Sequence, residues 1–211
     1  MATTQLSICN RALSKLGQQP IASLDDNSKT ARWLRTNYDE IRRNELRLNI
    51  WNFAVKRVKV AFLADSGGAA IPPTWGFKYQ YALPTDLLRL YQVNDAYVGL
   101  DFAEYRNADD REYTIEGQYI CTDYGSPINL RYVADIADAS KFDVNFAEAL
   151  SCKLASEGCE TITQSLPKNQ RADGQYTLAM RMARMAGATE LPPQARPDNT
   201  WIMVRVGSGT G

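Results

Sequence analysis

Apolar positions at helical spacing open the chain and predict a helix over residues 4–16, ended by Gly17. The apolar residues that share one face of this helix are Leu6, Cys9, Leu13 and Leu16. A second, longer helix is predicted from the N-cap candidates at residues 25–28 to about residue 48. Its predicted core-facing stripe consists of Ala31, Leu34, Tyr38, Ile41 and Leu48, with Glu45 at the remaining step.

The opposite face of the second helix carries charges of both signs. Asp39 lies four residues after Arg35 and four residues before Arg43. Opposite charges at this spacing are neighbours on a helix surface. We therefore predict that Arg35–Asp39 and Asp39–Arg43 are ion pairs on a solvent-facing side.

Beyond Trp51 the apolar positions alternate with polar ones, which is typical of strands. Five segments show this pattern: FAVKRVKVAF, FKYQYAL, LLRLYQV, YTIEGQYIC and INLRYV. The segment YTIEGQYIC contains a Glu-Gly turn, so we expect it to form a hairpin. Glycine and proline in ADSGGAAIPPTWG predict a loop, and the Pro-Thr-Asp step at residues 84–86 predicts a turn.

Helical spacing returns at Ser140, which has Asp143 three residues further on, as in a capping box. A last helix is predicted over residues 171–186 and carries two apolar stripes about 160° apart. The first stripe is Tyr176, Ala179, Ala183 and Ala186, and the second is Leu178, Met182 and Met185. A surface helix needs one apolar face, so the second stripe predicts a subunit interface. The alternative is a helix buried on all sides.

The C-terminal segment after residue 190 is rich in proline, then apolar, then rich in glycine. Its weakly alternating apolar residues, which predict an isolated strand, are Trp201, Ile202, Val204 and Val206. Such a strand docks either on an edge of its own sheet or on another chain. We expect it to be mobile in the free chain, since a lone strand of this length is not stable in water.

These elements predict an α+β fold. Residues 1–52 and 135–190 would form an α-helical bundle of about four helices, and residues 53–134 a central β-rich insertion. Residues 191–211 would form an extended C-terminal tail. With 45% hydrophobic and 23% charged residues over 211 positions, the composition is that of a globular domain.

Charge is balanced overall but unevenly distributed. The formal net charge is zero, which argues against a dedicated nucleic-acid-binding protein. Residues 29–59 hold nine lysines and arginines against three acids, and residues 86–148 hold thirteen acids against five bases. This asymmetry predicts either surfaces of opposite sign, suited to contact between copies or to lining something charged, or ordinary solvated faces.

The residue types present leave little room for catalysis. The chain contains no histidine, which excludes Ser-His-Asp and Cys-His pairs and the HExxH zinc site. Its four cysteines lack metal-ligand spacing, so we predict reduced core thiols in a cytoplasm. There is no phosphate-binding glycine motif and no apolar run long enough for a membrane span. We predict no catalytic, metal-binding or cofactor-binding residue.

Carboxylates remain as the groups that could serve in acid–base chemistry, such as glycoside cleavage. Those in the strand region are Glu104, Asp109, Glu112 and Glu116. Acids are common on loops, and we interpret these four as exposed loop residues.

The serial order of several segments resembles one known family. The segments are LSKLGQQPIASL, LNIWNFAVKR, YALPTDLLRLYQV, EGQYICTD followed by INLRYV, and FDVNFAEALSCKLASEGCETIT. Together they are similar to the head-to-tail adaptors of short-tailed bacteriophages, the tail tubular protein A group, over residues 4–188.

The resemblance implies a structural protein of the virion tail, assembled in the cytoplasm of a bacterial host. Copies would form a homo-oligomeric ring, typically of about twelve, beneath the portal protein. The ring would extend the DNA channel without reading sequence and attach the tail nozzle or next tail protein. The tail residues Trp201, Ile202, Val204 and Val206 would dock on the portal, and no cofactor or membrane would be involved. The alternatives are an adaptor that also hydrolyses envelope glycans, or a non-viral soluble binding module.

Overall fold

The computed structural model describes residues 3–94, 96–97 and 113–190. In this part of the chain, four α-helices combine with two small antiparallel sheets, which confirms the predicted α+β class. The helices are α1 (Gln5–Lys15), α2 (Lys29–Leu48), α3 (Val144–Thr163) and α4 (Leu166–Thr189). The strands are β1 (Val55–Val60), β2 (Tyr79–Ala82), β3 (Leu87–Val93), β4 (Ala96–Tyr97), β5 (Tyr113–Glu116), β6 (Tyr119–Thr122) and β7 (Ile128–Ala134).

Helix α1 begins and ends as its sequence predicts. Thr4 is its N-cap, and the Thr4 hydroxyl accepts a hydrogen bond from the Ser7 backbone N–H. Gly17 follows the C-cap with a φ of 66°, a left-handed conformation in which a Cβ would be strained. The buried side chains of α1 are Ile8, Cys9, Ala12 and Leu13.

Helix α2 starts at its predicted cap, since Ser28 accepts a hydrogen bond from the Ala31 backbone N–H. The predicted burial of Leu48 is wrong, because its side chain is 58% exposed. At about 100° per residue, Leu48 lies about 100° around the axis from Ala31, whereas Arg42 lies about 20° away. Arg42 and Leu46 are therefore buried on the core side with the predicted Glu45.

The two predicted ion pairs on α2 are also replaced by others. Asp39 contacts Arg42, three residues on, at 3.3 Å. Arg35 reaches Asp25 in the preceding loop, and Arg43 contacts Asp135 at 2.8 Å. Tertiary neighbours thus compete successfully with the spacing of four residues, whose pairing energy is only about 0.3–0.5 kcal/mol.

Helix α3 starts later than predicted. Asp143, not Ser140, is its N-cap and accepts hydrogen bonds from the backbone N–H groups of Asn145 and Phe146. Ser140 instead lies in a short 3-10 helix that is capped by Asp138. Between them, Phe142 is extended and packs on Phe146 with ring centroids 5.0 Å apart, which separates the two helical segments.

Helix α4 begins at Leu166, five residues before the predicted start at residue 171. The predicted range left out the preceding segment LPKNQ, which contains Pro167. Proline is tolerated in the first helical turn, however, because N–H groups there have no intrahelical partner.

The strands form two separate sheets. The larger has the order β1-β7-β3-β4 and the smaller β2-β6-β5, and all pairs are antiparallel. The predicted hairpin is confirmed as β5 and β6, with Gly117 in its turn at a φ of 60°. Strand β7 is central in its sheet and carries the buried residues Ile128, Leu130 and Tyr132 on one face.

One hydrophobic core continues from the helices into both sheets. Helix α3 packs against α1, α2 and α4. An aromatic group of Trp51, Phe53, Phe142 and Phe146 lies where the helices meet the first strand, with Trp51 and Phe146 centroids 4.9 Å apart. All four cysteines are buried and free, as predicted.

Candidate interaction surface

Helix α4 has one buried face and one exposed apolar face. Ala172, Met180 and Ala183 are buried on the core side. Leu178, Met182 and Met185 point away from the core and are 55%, 60% and 65% exposed. We call these three residues the outer stripe. The alternative of a helix buried on all sides is wrong, whereas the predicted role of the stripe as an interface stays a prediction.

Contacts on the inner face fix the rotation of α4. The Tyr176 hydroxyl donates to the two carboxylate oxygens of Glu45, at 3.0 and 3.1 Å. The Lys153 ammonium lies 5.0 Å from the centre of the Tyr176 ring. At the start of the helix, Lys168 donates to the Leu16 carbonyl at 2.9 Å. These polar contacts leave the outer stripe facing outward.

Glu45, which contacts α4 from α2, is unusual for an acidic residue because it is only 1% exposed. Burial raises its pKa, and the hydrogen bond from Tyr176 and the charges of Lys153 and Arg184 oppose that shift. Burial also raises the pKa of Tyr176, to which the nearby Glu45 charge adds. The hydrogen bond from Tyr176 therefore joins α4 to α2 at a carboxyl group whose burial favours its protonated form.

The outer stripe extends about 10 Å along the helix at 1.5 Å per residue. Arg181 is exposed and lies about 60° around the axis from Leu178, so the stripe has a cationic flank. Each side chain in the stripe would gain about 1–2 kcal/mol if a partner covered its remaining exposed surface. An exposed apolar stripe of this kind is suited to contact with another protein rather than to catalysis.

Most of the other residues singled out in the sequence, the tail residues and the acids of the strand region, lie outside the described part of the chain. The tail residues Trp201, Ile202, Val204 and Val206 lie outside the described residues, as do Glu104, Asp109 and Glu112. Glu116 lies on β5 with its side chain exposed, and the Cys121 thiol is 4.0 Å from its carboxylate. Glu116 is thus exposed, as expected, but it lies on a strand rather than a loop.

A cleft of about 430 Å³ lies beside the C-terminal half of α4. Its two carboxylates are already engaged: Asp143 caps α3, and Glu190 accepts a hydrogen bond from Asn52 at 2.6 Å. Among the described residues, no cluster of cysteine, aspartate or glutamate could hold a metal ion. Within the same ranges, no helix is long and apolar enough to cross a membrane.

Sequence reasoning missed one exposed aromatic residue. Trp75 lies in the loop between β1 and β2 and is 87% exposed, more than any other large apolar side chain in the described ranges. The nearby Pro72 and Pro73 and the following Gly76 predicted the loop but not the exposure of Trp75.

The sequence matches no model of a known protein family, and no curated protein matches it either.

Proposed function

We propose that this chain is a structural head-to-tail adaptor of a phage virion. The observation that carries the proposal is the outer stripe, because a helix locked on one side by core contacts presents three large apolar residues on the other. A ring subunit meets its two neighbours head to tail through two different, complementary surfaces, and the outer stripe is a candidate for one of them.

In this proposal the chain is organised as a helical bundle, residues 1–52 and 135–190, with a β-rich insertion at residues 53–134. The packing of α1, α2 and α4 around α3 supports the bundle. The sequence order supports the insertion, since all described strands lie consecutively between α2 and α3. Residues 191–211, which lie outside the described residues, would be the extended tail of this proposal.

The partners follow from this arrangement. Copies associate through the outer stripe into a ring, of about twelve in the resembled family, on the portal protein. The ring extends the DNA channel, contacts DNA without reading sequence, and receives the tail nozzle or next tail protein. The protein is assembled in the host bacterial cytoplasm, resides in the virion tail, and acts without a cofactor or membrane.

The isolated chain should be a monomer, because three half-exposed side chains contribute too little to offset the entropy of association. Binding to the portal places copies side by side, so the weak lateral contact then becomes effective. Sedimentation of the pure chain, and electron microscopy after mixing it with its portal, test this directly. Stable rings without portal, or no rings with it, would contradict the proposal.

The tail supplies the portal contact in this proposal, with Trp201 as its anchor. A large aromatic side chain contributes most when it enters a partner's pocket. Deleting residues 198–211 should leave the thermal melt unchanged and weaken portal binding tenfold or more, a change of about 1.4 kcal/mol. Full protection of the tail from trypsin in the free chain would show that it belongs to the chain's own fold.

A further inference from the structure

Trp75 projects from a loop that is fixed at both ends. At one end the Ile71 backbone N–H donates to the Leu63 carbonyl at 2.8 Å, and at the other the Lys78 backbone N–H donates to the Asp123 carboxylate at 2.9 Å. Two consecutive prolines restrict the backbone between these anchors. Trp75 is nevertheless 87% exposed. A large aromatic side chain on a pre-organised loop loses little entropy on binding and is suited to anchor an interface.

The cleft beside the C-terminal half of α4, which we call the α4 cleft, has room for one large side chain. Its walls include the rings of Trp51, Phe53 and Phe142 and, on α4, the small residues Ala183 and Ala186. Its volume of about 430 Å³ lies near the lower end of the range of about 300–1,000 Å³ for clefts that hold ligands. A single indole ring is a suitable occupant of this space.

The polar groups of the α4 cleft favour an aromatic occupant over an acidic one. Both carboxylates that line the cleft, Asp143 and Glu190, already accept hydrogen bonds. Lys141 and Arg184 also line it and are exposed, and cations of this kind are attracted to the face of an indole. A carboxylate would lose its hydration against the aromatic walls, whereas an indole has little hydration to lose.

Trp75 and the α4 cleft lie on different parts of the chain. The residues that line the cleft come from residues 49–53, 141–143 and 183–190, and none comes from the strand region that carries Trp75. The cleft is continuous with the outer stripe, because Ala183 and Ala186 directly follow Met182 and Met185. The chain therefore carries an exposed aromatic side chain and a matching cleft on two different surfaces, as a head-to-tail contact between copies requires.

We infer that Trp75 of one copy enters the α4 cleft of the next copy. This inference rests on the proposed function, in which copies meet head to tail, and it identifies the surface that faces the outer stripe side of the neighbour. An aromatic side chain buries about 150–250 Å², whereas a stable interface buries about 800 Å² per partner. The contact is therefore weak between free chains and becomes effective when the portal holds copies side by side.

Disulfide capture between two variants tests the contact in the free chain. Thr74→Cys places a thiol beside Trp75 and Ala188→Cys places one at the cleft, and both positions are exposed, whereas all four native cysteines are buried. Mixed under a mild oxidant, the two variants should form a disulfide that joins positions 74 and 188, identified by peptide mapping. Adding Trp75→Ala should slow its formation about tenfold or more, and adding Ile71→Ala on the same loop should not. The control Lys29→Cys, at the exposed start of α2, should replace Ala188→Cys only poorly.

Trp75→Ala should also lower the yield of rings on the portal without changing the thermal melt, because the side chain is exposed. Equal capture by Lys29→Cys, or capture that is insensitive to Trp75→Ala, would overturn the inference. So would a disulfide within one chain in the double variant Thr74→Cys/Ala188→Cys, or capture only after deletion of residues 191–211, which would assign the cleft to the chain's own tail. Normal rings with Trp75→Ala would defeat this inference alone, whereas specific capture without rings on the portal would defeat the proposed function.

Discussion

Replacing Met182 with glutamate separates an interface from a core position on α4. Met182 is 60% exposed, so the new carboxylate remains in water. Methionine and glutamate have similar helix propensities, and surface changes of this kind alter the free energy of unfolding by at most about 0.5 kcal/mol. At about 2–4 °C per kcal/mol for a chain of this size, the melting temperature should change by no more than about 2 °C.

The matched control is Met180→Glu, two residues earlier on the same helix. Met180 is 5% exposed and its sulfur lies 3.5 Å from the Asn49 amide nitrogen. Losing its buried apolar surface costs about 1.5–3 kcal/mol. Desolvating the carboxylate adds about 1 kcal/mol or more, although Arg184 one turn further on offsets part of the charge. The sum of about 3 kcal/mol should lower the melting temperature by about 6–12 °C.

Two measurements show whether Met182 lies at an interface or in the core. Calorimetry of both variants gives the thermal shift, and electron microscopy with the portal gives the yield of rings. Met182→Glu should melt like the unmodified chain and form no rings. A thermal shift for Met182→Glu as large as that for Met180→Glu would show that the outer stripe is part of the core. Normal ring yield with Met182→Glu would show that copies meet elsewhere.

Two further predictions concern the core. Gly158→Ala should destabilise the chain by about 1 kcal/mol, because an added Cβ would come within 2.9 Å of the Trp33 ring. Gly174→Ala, in open space on α4, should stabilise the chain by about 0.5–1 kcal/mol. Urea denaturation should show shifts of opposite sign for the two variants, and shifts of the same sign would contradict the packing around Gly158. Burial raises the pKa of Glu45 in the folded chain, so the stability from this group is present below the unfolded pKa and lost as the pH rises through the folded one. Denaturation between about pH 4 and 8 should therefore show the unmodified chain losing stability relative to Glu45→Gln as the pH rises, and a constant difference would refute the burial argument.

Local sequence determined most of the elements. The caps of α1 and α2, the β5–β6 hairpin and strand β7 all depend on hydrogen bonds and side-chain periods within a few residues. Such short-range interactions are readable from neighbouring letters alone. The starts of α3 and α4 were predicted wrongly because the local sequence allows two positions for each. Ser140 and Asp143 both suit an N-cap, and Pro167 suits both a loop and a first helical turn.

Tertiary structure decided which alternatives were used. The sequence identified two apolar stripes on α4, but only packing against α3 and the contact with Glu45 showed that Leu178, Met182 and Met185 are the ones left outside. Likewise Arg42 is buried against Asp135 and the Ile136 carbonyl, more than ninety residues away, and Arg57 lies opposite Arg131 because β1 and β7 pair in one register. These choices depend on the desolvation and charge contributed by distant segments, and no local pattern carries that information.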